Sequence, residues 1–520
     1  MGNATEGLVC VQYRLIAAIF VFLYYVYNVI AGFVYGDTTP KKLPRTENDI
    51  FKKSATQLAR EIRQRKITST IVVSAFIERQ KQVNPIINAI VADRYDDALF
   101  EAKEVDKFLA ETTKTEDEIA NDKPLLGVPV TIKESCSVKG LNLVVGARER
   151  IGIKAEENGA AVQKLVNAGA IPLCVTTTPE FCLSTETNNL VTGKTNNPYN
   201  VNYASGGSSG GEGAIISSAG SVIGIGSDLA GSIRIPAAFC GIFGHKPSTG
   251  LVDLVGHVPY SEEVIFQKML TIGPLCRYAE DLLLMTKILT ENNSLLQLDD
   301  PVKLSNLKMY YMVDGGSCFG SMGVHKKIKQ RIRDAVDHFR KTWDCDMSDC
   351  KFDEVQYTNE ANLTFMLSFD DKQYNPNLSI LFQLLKTIFG KADISAARLF
   401  YLCVKNDKFI MPNDVEKMKH FVDFLADKIN KELGDNGVFF YPVFPSSAFR
   451  HGMSVFTSSS MSYLSLANIT GLPATTIPVG FIENGLPIGI QVMAGKNQDR
   501  LCLSVAKELE TVFGGWMSPY

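Results

Sequence analysis

Near its start the chain holds one uninterrupted apolar run. From Leu15 to Gly36 it reads LIAAIFVFLYYVYNVIAGFVYG, with no charged residue. As a helix rising about 1.5 Å per residue, the run spans roughly 33 Å, near the thickness of a bilayer's hydrocarbon layer. Tyr24, Tyr25, Tyr27 and Tyr35 supply amphipathic rings suited to an interface. The alternative is a cleaved signal peptide, but its apolar core ordinarily runs only about 7–15 residues. The pattern therefore predicts an uncleaved transmembrane anchor at 15–36, behind a flank at 1–14. A linker at 37–53, holding Pro40 and Pro44, and one large body at 54–520 follow. Lys41, Lys42, Arg45, Lys52 and Lys53 come after the run and only Arg14 closely before it, which puts the body on the cytosolic side. Sequons at Asn3, Asn292, Asn362, Asn377 and Asn468 are compatible with a lumenal face, so compartment and facing stay open.

Beyond the linker the pattern alternates between helical and strand-like periods. Ala55–Arg65 repeats apolar positions at helical spacing, and Ile71–Val83 does so behind Thr68 and Ser69 as candidate caps. Tyr95–Leu109 reads as a charged amphipathic helix, and Leu125–Ile132 (LLGVPVTI) as a buried strand. Thr475–Val479 and Ile488–Met493 flank Asn484-Gly485, a hairpin signal, and Gln498–Leu509 closes the chain as a helix. This mixture predicts an α/β core covered by helices.

Composition narrows the class further. With 45% hydrophobic and 21% charged residues the chain is an ordinary globular one rather than disordered or fibrous. A net charge of -3 gives no basic footprint for nucleic acid. Eleven cysteines without a CxxC pair argue against a disulfide framework and a cysteine zinc site.

Three segments carry candidate chemistry. Lys133 ends the strand-like run GVPVTIK. Apolar flanks predict a partly desolvated ammonium whose pKa falls from an ordinary value near 10.4, which would make it a general base. The plain alternative is a solubilising charge at a strand end. Gly206–Gly213 (GGSSGGEG) reads as a flexible linker or, through G-x-S-x-G centred on Ser208, as a nucleophile elbow. An elbow should follow a strand, whereas Asn197–Tyr203 looks like loop. Gly224–Pro236 (GIGSDLAGSIRIP) fails as a dinucleotide-binding motif because Leu229 occupies the third glycine position. It reads as a tight turn, or as a turn whose backbone N–H groups converge on an oxyanion.

The ordered set GVPVTIKES, GGSSGGEG and GSDLAGSIRIP, with twenty-four residues from Ser208 to Ser232, resembles the amidase signature family. The likeness continues through AAFCGIFGHKPS (237–248), GPLCRYAEDL (273–282) and NITGLPATTIPVG (468–480), and is weakest between about 295 and 435. With the amino-terminal apolar run, the chain is most similar to the family's membrane-anchored branch, which hydrolyses fatty-acid amides. The resemblance implies an α/β amidase-signature fold, with a large mixed central β-sheet covered by helices on both faces. It implies a Ser-Ser-Lys set with Ser232 as nucleophile, Ser208 as a bridge on a cis peptide, and Lys133 as base. Leu229, Ala230, Gly231 and Ser232 would present the oxyanion-binding N–H groups. Ser209, Asp228 and Arg234 would support them, or only hold the fold. No histidine, metal or other cofactor is implied.

One departure stands out: Ala230 occupies a position where related sequences commonly have glycine. If that position required φ > 0, alanine would add roughly 1 kcal/mol of strain. Substrate selection falls to the least recognisable region. Leu378–Phe389 and, after Gly390, Ile394–Val404 read either as two buried helices or as a membrane-dipping pair at an acyl channel. The resulting expectation is a membrane-bound serine amidase acting on primary fatty amides and N-acylethanolamines. Its partners would be the lipid-amide substrate and the bilayer, with no nucleic acid and with a homodimer left open. An amidase or esterase for short or polar substrates is one alternative. A lipid-amide binding protein that has lost catalysis is another.

Overall fold

The buried run ending at Lys133 becomes an inner strand of an eleven-stranded mixed sheet. The computed structural model describes residues 10–35, 42–315, 320–349, 352–369, 379–389, 391–406 and 414–520. The sequons at Asn3 and Asn377, together with Lys41, Leu378 and Gly390, lie outside the described residues.

In chain order the strands are β1 (Ile90–Asp93), β2 (Pro129–Lys133), β3 (Ile171–Thr176), β4 (Ile223–Asp228), β5 (Phe243–Lys246) and β6 (Thr271–Cys276). They continue with β7 (Lys308–Tyr311), β8 (Asp346–Asp349), β9 (Gly437–Pro442), β10 (Ala474–Phe481) and β11 (Pro487–Ala494). Across the sheet the order is β1-β3-β2-β4-β6-β5-β10-β11-β9-β7-β8. β2 runs parallel to both β3 and β4, with Ile132 paired to Val175 on one side and Ile225 on the other. Their uniformly buried residues fit parallel strands covered on both faces. β10 and β11 form the hairpin expected around Asn484-Gly485.

Helices flank the sheet. The first, α1 (Val11–Tyr35), starts four residues before the apolar run and so takes in Arg14. Its Val11–Ala31 portion is long and apolar enough to cross a membrane. α2 (Ala55–Arg63), α3 (Ser69–Ile87) and α4 (Tyr95–Glu111) follow where the periodicity placed them, and Thr68 caps α3 by accepting from the Ile71 N–H. α5 (Gly210–Ser217) and α6 (Arg234–Cys240) each begin just after a serine motif. α7 (Thr358–Ser368), α8 (Ile380–Ile388) and α9 (Ala396–Asn406) follow, and α10 (Asp499–Phe513) closes the chain.

α8 and α9 differ in burial. Leu381, Phe382 and Phe389 are 70%, 56% and 73% exposed, so α8 is not the buried helix that its composition allowed. α9 buries Leu399, Tyr401 and Leu402 against the body. The sequons at Asn362 and Asn468 are fully buried and offer no surface acceptor in the folded chain.

Candidate active site

The parallel neighbours β2 and β4 end side by side, and a pocket at the carboxyl ends of parallel strands is where open α/β sheets bind ligands. Lys133 is the last residue of β2 and is fully buried. It is therefore not a solubilising charge. Its Nζ lies 2.6 Å from Ser208 Oγ and 2.9 Å from Ser227 Oγ, the latter from β4. Ser135 Oγ stands 3.5 Å beyond Ser227 Oγ, extending the row of hydroxyls.

Ser208 enters this cluster from the glycine run, whose residues 204–217 are all buried. That burial rules out a flexible linker. Gly210 and Gly211 pack so tightly on Thr187 and Thr177 that an added Cβ would fall 2.3 Å and 2.5 Å from their atoms. Small residues are thus needed to bring the loop onto the sheet. The Gly207–Ser208 peptide is cis, as the resemblance implies. No strand leads into Ser208, so the elbow reading fails; the chain reaches it through loop and then enters α5. The strand-turn-helix geometry of an elbow instead surrounds Ser232, between β4 and α6.

Around Ser232 nearly everything is buried. Within Gly226–Ile235 only Leu229 and Ser232 are partly exposed, and both face a cavity. The Ser232 hydroxyl has no side-chain hydrogen bond among the described residues. Its backbone is fixed to the Ser208 segment through the Ser209 N–H, which donates to the Ser232 carbonyl at 3.1 Å. Ser209 Oγ donates to the Ser227 carbonyl at 3.4 Å, next to the Lys133 cluster.

Asp228 and Arg234 brace the turn from inside. Asp228 Oδ1 accepts from the Gly231 N–H at 2.6 Å, and Oδ2 accepts from the Ile233 N–H at 3.1 Å and Arg234 Nε at 3.1 Å. Arg234 goes on to donate to Gln491, Asn468 and the Leu464 carbonyl. Of the four N–H groups expected at the oxyanion site, that of Gly231 donates to Asp228 in this structure. Gly231 is nonetheless required, since its φ is +106° and a Cβ would meet Leu464 at 2.7 Å. Ala230 has no positive φ, so the strain feared for alanine does not arise.

Burial alone would raise the Asp228 carboxyl, but the Arg234 charge, its hydrogen bonds and Asn468 outweigh that and hold it well below the usual carboxylate range. A lowered folded-state pKa contributes stability that is complete above the unfolded value and disappears as pH falls through the folded one. The Asp228 contribution is therefore intact above about pH 4 and lost progressively as pH falls from there through the lowered folded-state value. Removing one partner of a buried pair strands the other charge, so Asp228→Ala should cost about 3–5 kcal/mol at pH 7. A urea midpoint unchanged from the parent's would show that the pair does not brace the fold.

Two nearby residues were missed in the sequence. Ser227 looked like one more small residue in a turn, and only the β2–β4 register places it beside Lys133. Glu212 is a lone carboxyl among glycines before an apolar run, a signal that marks a buried acid. It accepts from Thr131 Oγ1 and Thr176 Oγ1, each at 2.7 Å. Burial pushes its pKa up to about 8, against the lowering effects of these hydroxyls and of Lys133. A separate hydroxyl-imidazole-carboxylate row, Thr475–His245–Asp499, is wholly buried and contains no exposed nucleophile.

The cavity at Ser232 is walled mainly by apolar side chains: Leu363, Met366 and Leu367 of α7, Phe400 and Val404 of α9, and Met461. Thr185 Oγ1 and Asn362 Oδ1 sit in this wall, buried and without a hydrogen-bond partner among the described residues.

Residues 71–503 match the Amidase family. The chain belongs to the amidase signature family. This amidase signature hydrolase is 37% identical over 506 residues to fatty-acid amide hydrolase 2 of Homo sapiens, covering 94% of each chain. It is 36% identical over 503 residues to fatty-acid amide hydrolase 2-B of Danio rerio, covering 93% of this chain and 94% of that one. Among solved structures, a fatty acid amide hydrolase superposes with a TM-score of 0.74 at 23% identity, over 96% of this chain and 89% of that one. A bacterial aryl acylamidase of the same family gives 0.71 at 20% identity, over 90% and 98%. These superpositions bear on the fold, a large mixed sheet flanked by helices. The family and its relatives make the chain an amide C–N hydrolase of fatty-acid amide hydrolase type.

Proposed function

We propose that the chain hydrolyses long-chain fatty-acid amides, both primary amides and N-acylethanolamines, to a fatty acid and an amine at the membrane surface. The observation that carries this reading is the apolar cavity that opens on Ser232 and shares α9 with the region that exposes α8. A long acyl chain gains from such a lining because it leaves water. The unpartnered Thr185 and Asn362 atoms leave hydrogen-bonding capacity for a polar head.

In the mechanism, Lys133 serves as the base that takes the Ser208 proton while Ser208 takes the proton of Ser232. The Ser232 oxygen then bonds to the amide carbon. The N–H groups of Leu229, Ala230 and Ser232 hold the oxyanion. Ser208 returns a proton to the nitrogen as the C–N bond breaks, and water releases the acid from Ser232. The hydroxyl of Ser227 and the buried row behind it hold the Lys133 amine toward Ser208.

The test is kcat/KM across primary amides from six to twenty carbons, in detergent. Activity should climb with chain length by at least about 100-fold, since each buried methylene contributes about 0.8 kcal/mol until the cavity is filled. A flat or falling series sinks the long-chain reading and favours a short or polar substrate.

A further inference from the structure

α1 lies along the body rather than standing apart from it. Its buried side chains, Tyr13, Ala17, Tyr24 and Ala31, recur at intervals of four and seven residues and so form one stripe on the helix. The opposite face exposes Val11, Leu15, Ile19, Phe22, Val29 and Ile30. A lipid-surrounded anchor needs no such division.

The amino-terminal part of the stripe touches the back of the Ser232 cavity. Arg14 Nε donates to Glu360 Oε1 of α7 at 2.7 Å, with Glu360 buried, and Asn359 Nδ2 donates to the Tyr13 hydroxyl. α7 also supplies Leu363, Met366 and Leu367 to the cavity wall. The Phe20 ring lies 5.8 Å from that of Phe400, itself a wall residue, and 5.5 Å from that of Phe456. Tyr13 and Ala17 share an apolar cluster with Leu367 and with Tyr401, one more wall residue. Gly320 makes the close fit possible, because a Cβ there would fall 2.6 Å from the Arg14 carbonyl.

We propose that α1 is the outer support of the acyl cavity and that it sets the preference for long acyl chains, Arg14 and Phe20 acting as positioning residues. This rests on the long-chain reading of the cavity. Wall side chains belonging to α7 and α9 keep one arrangement only while something packs behind them, and here that backing is α1. A short acyl chain stays near Ser232 and does not reach the supported part of the wall, whereas a long one does.

The experiment compares the full-length parent with Arg14→Met, Phe20→Ala, Glu360→Gln and the Arg14→Met/Glu360→Gln pair. All are assayed in detergent micelles, so that membrane attachment plays no part. For an eighteen-carbon primary amide, each single variant should lose at least tenfold in kcat/KM, mostly through KM. For a six-carbon amide the change should stay within twofold. Arg14→Lys should recover most of the long-chain activity, and the double variant should lose no more than either single one. Equal fluorophosphonate labelling of Ser232 in every variant shows that the active site is folded. Losses alike at both chain lengths, no loss at either, or additive losses in the double variant overturn the proposal. A parent with no preference for long chains refutes the cavity reading itself, a result seen before any variant is compared.

Discussion

Ser232→Ala loses amide turnover and fluorophosphonate labelling together, with kcat falling on the order of 10⁶-fold, the scale seen when a serine hydrolase loses its nucleophile. The reasoning is one of access. Ser208 and Ser232 are both hydroxyls in glycine-rich turns, and sequence alone allows either to attack. In the folded chain Ser208 is 1% exposed, its Oγ held on Lys133. Ser232 faces the cavity, at the start of a helix and beside backbone donors not spent elsewhere. A carbonyl carbon can approach only the second. Ser208→Ala should keep Ser232 labelling but slow it, because the proton relay is cut while the nucleophile remains. Peptide mapping decides: label on Ser232 in the parent and none in Ser232→Ala supports the assignment, and label on Ser208 alone reverses it. Labelling of Ser232 without hydrolysis of any amide would point to the binding-protein alternative.

The elements that were legible in the sequence are those whose cause is local. The helix over Ser69–Ile87 has its cap at Thr68, the β10–β11 hairpin has Asn484-Gly485, and the serine turns have their glycines. What was illegible depends on register between distant segments. Nothing near Ser227 announces Lys133, ninety-four residues away, as its partner. The sheet order was likewise hidden, because β7 pairs with β9 from far along the chain. The Asp228 contact to the Gly231 N–H is short-range, yet it depends on turn dihedrals that the residue names do not specify. α1 is the sharpest case. Its apolar composition serves a bilayer-spanning helix and a helix docked on protein equally well. Only the burial of Tyr13, Ala17, Tyr24 and Ala31, with the Arg14–Glu360 pair, shows a docked face.

Lys133→Ala should slow acylation by about 10²–10⁴-fold at neutral pH, the usual worth of a positioned general base. The loss should also depend on pH in a way that a structural lysine could not imitate. Lys133 is the side-chain partner of Ser208 Oγ among the described residues, so without the amine the Ser208 proton has no base to receive it there. Hydroxide from solvent must then take the proton, so the variant's rate should climb in proportion to hydroxide and reach no plateau. The gap between the two enzymes should therefore narrow as pH rises above neutrality. Lys133→Ala also leaves a cavity among Ser208, Ser227 and Ser135, so a drop in stability is expected alongside the kinetic one. The shape of the pH–rate profile separates the two effects, because a merely loosened site lowers the curve without changing its form. A variant profile parallel to the parent's would remove Lys133 from the relay and leave it as a packing residue between β2 and β4.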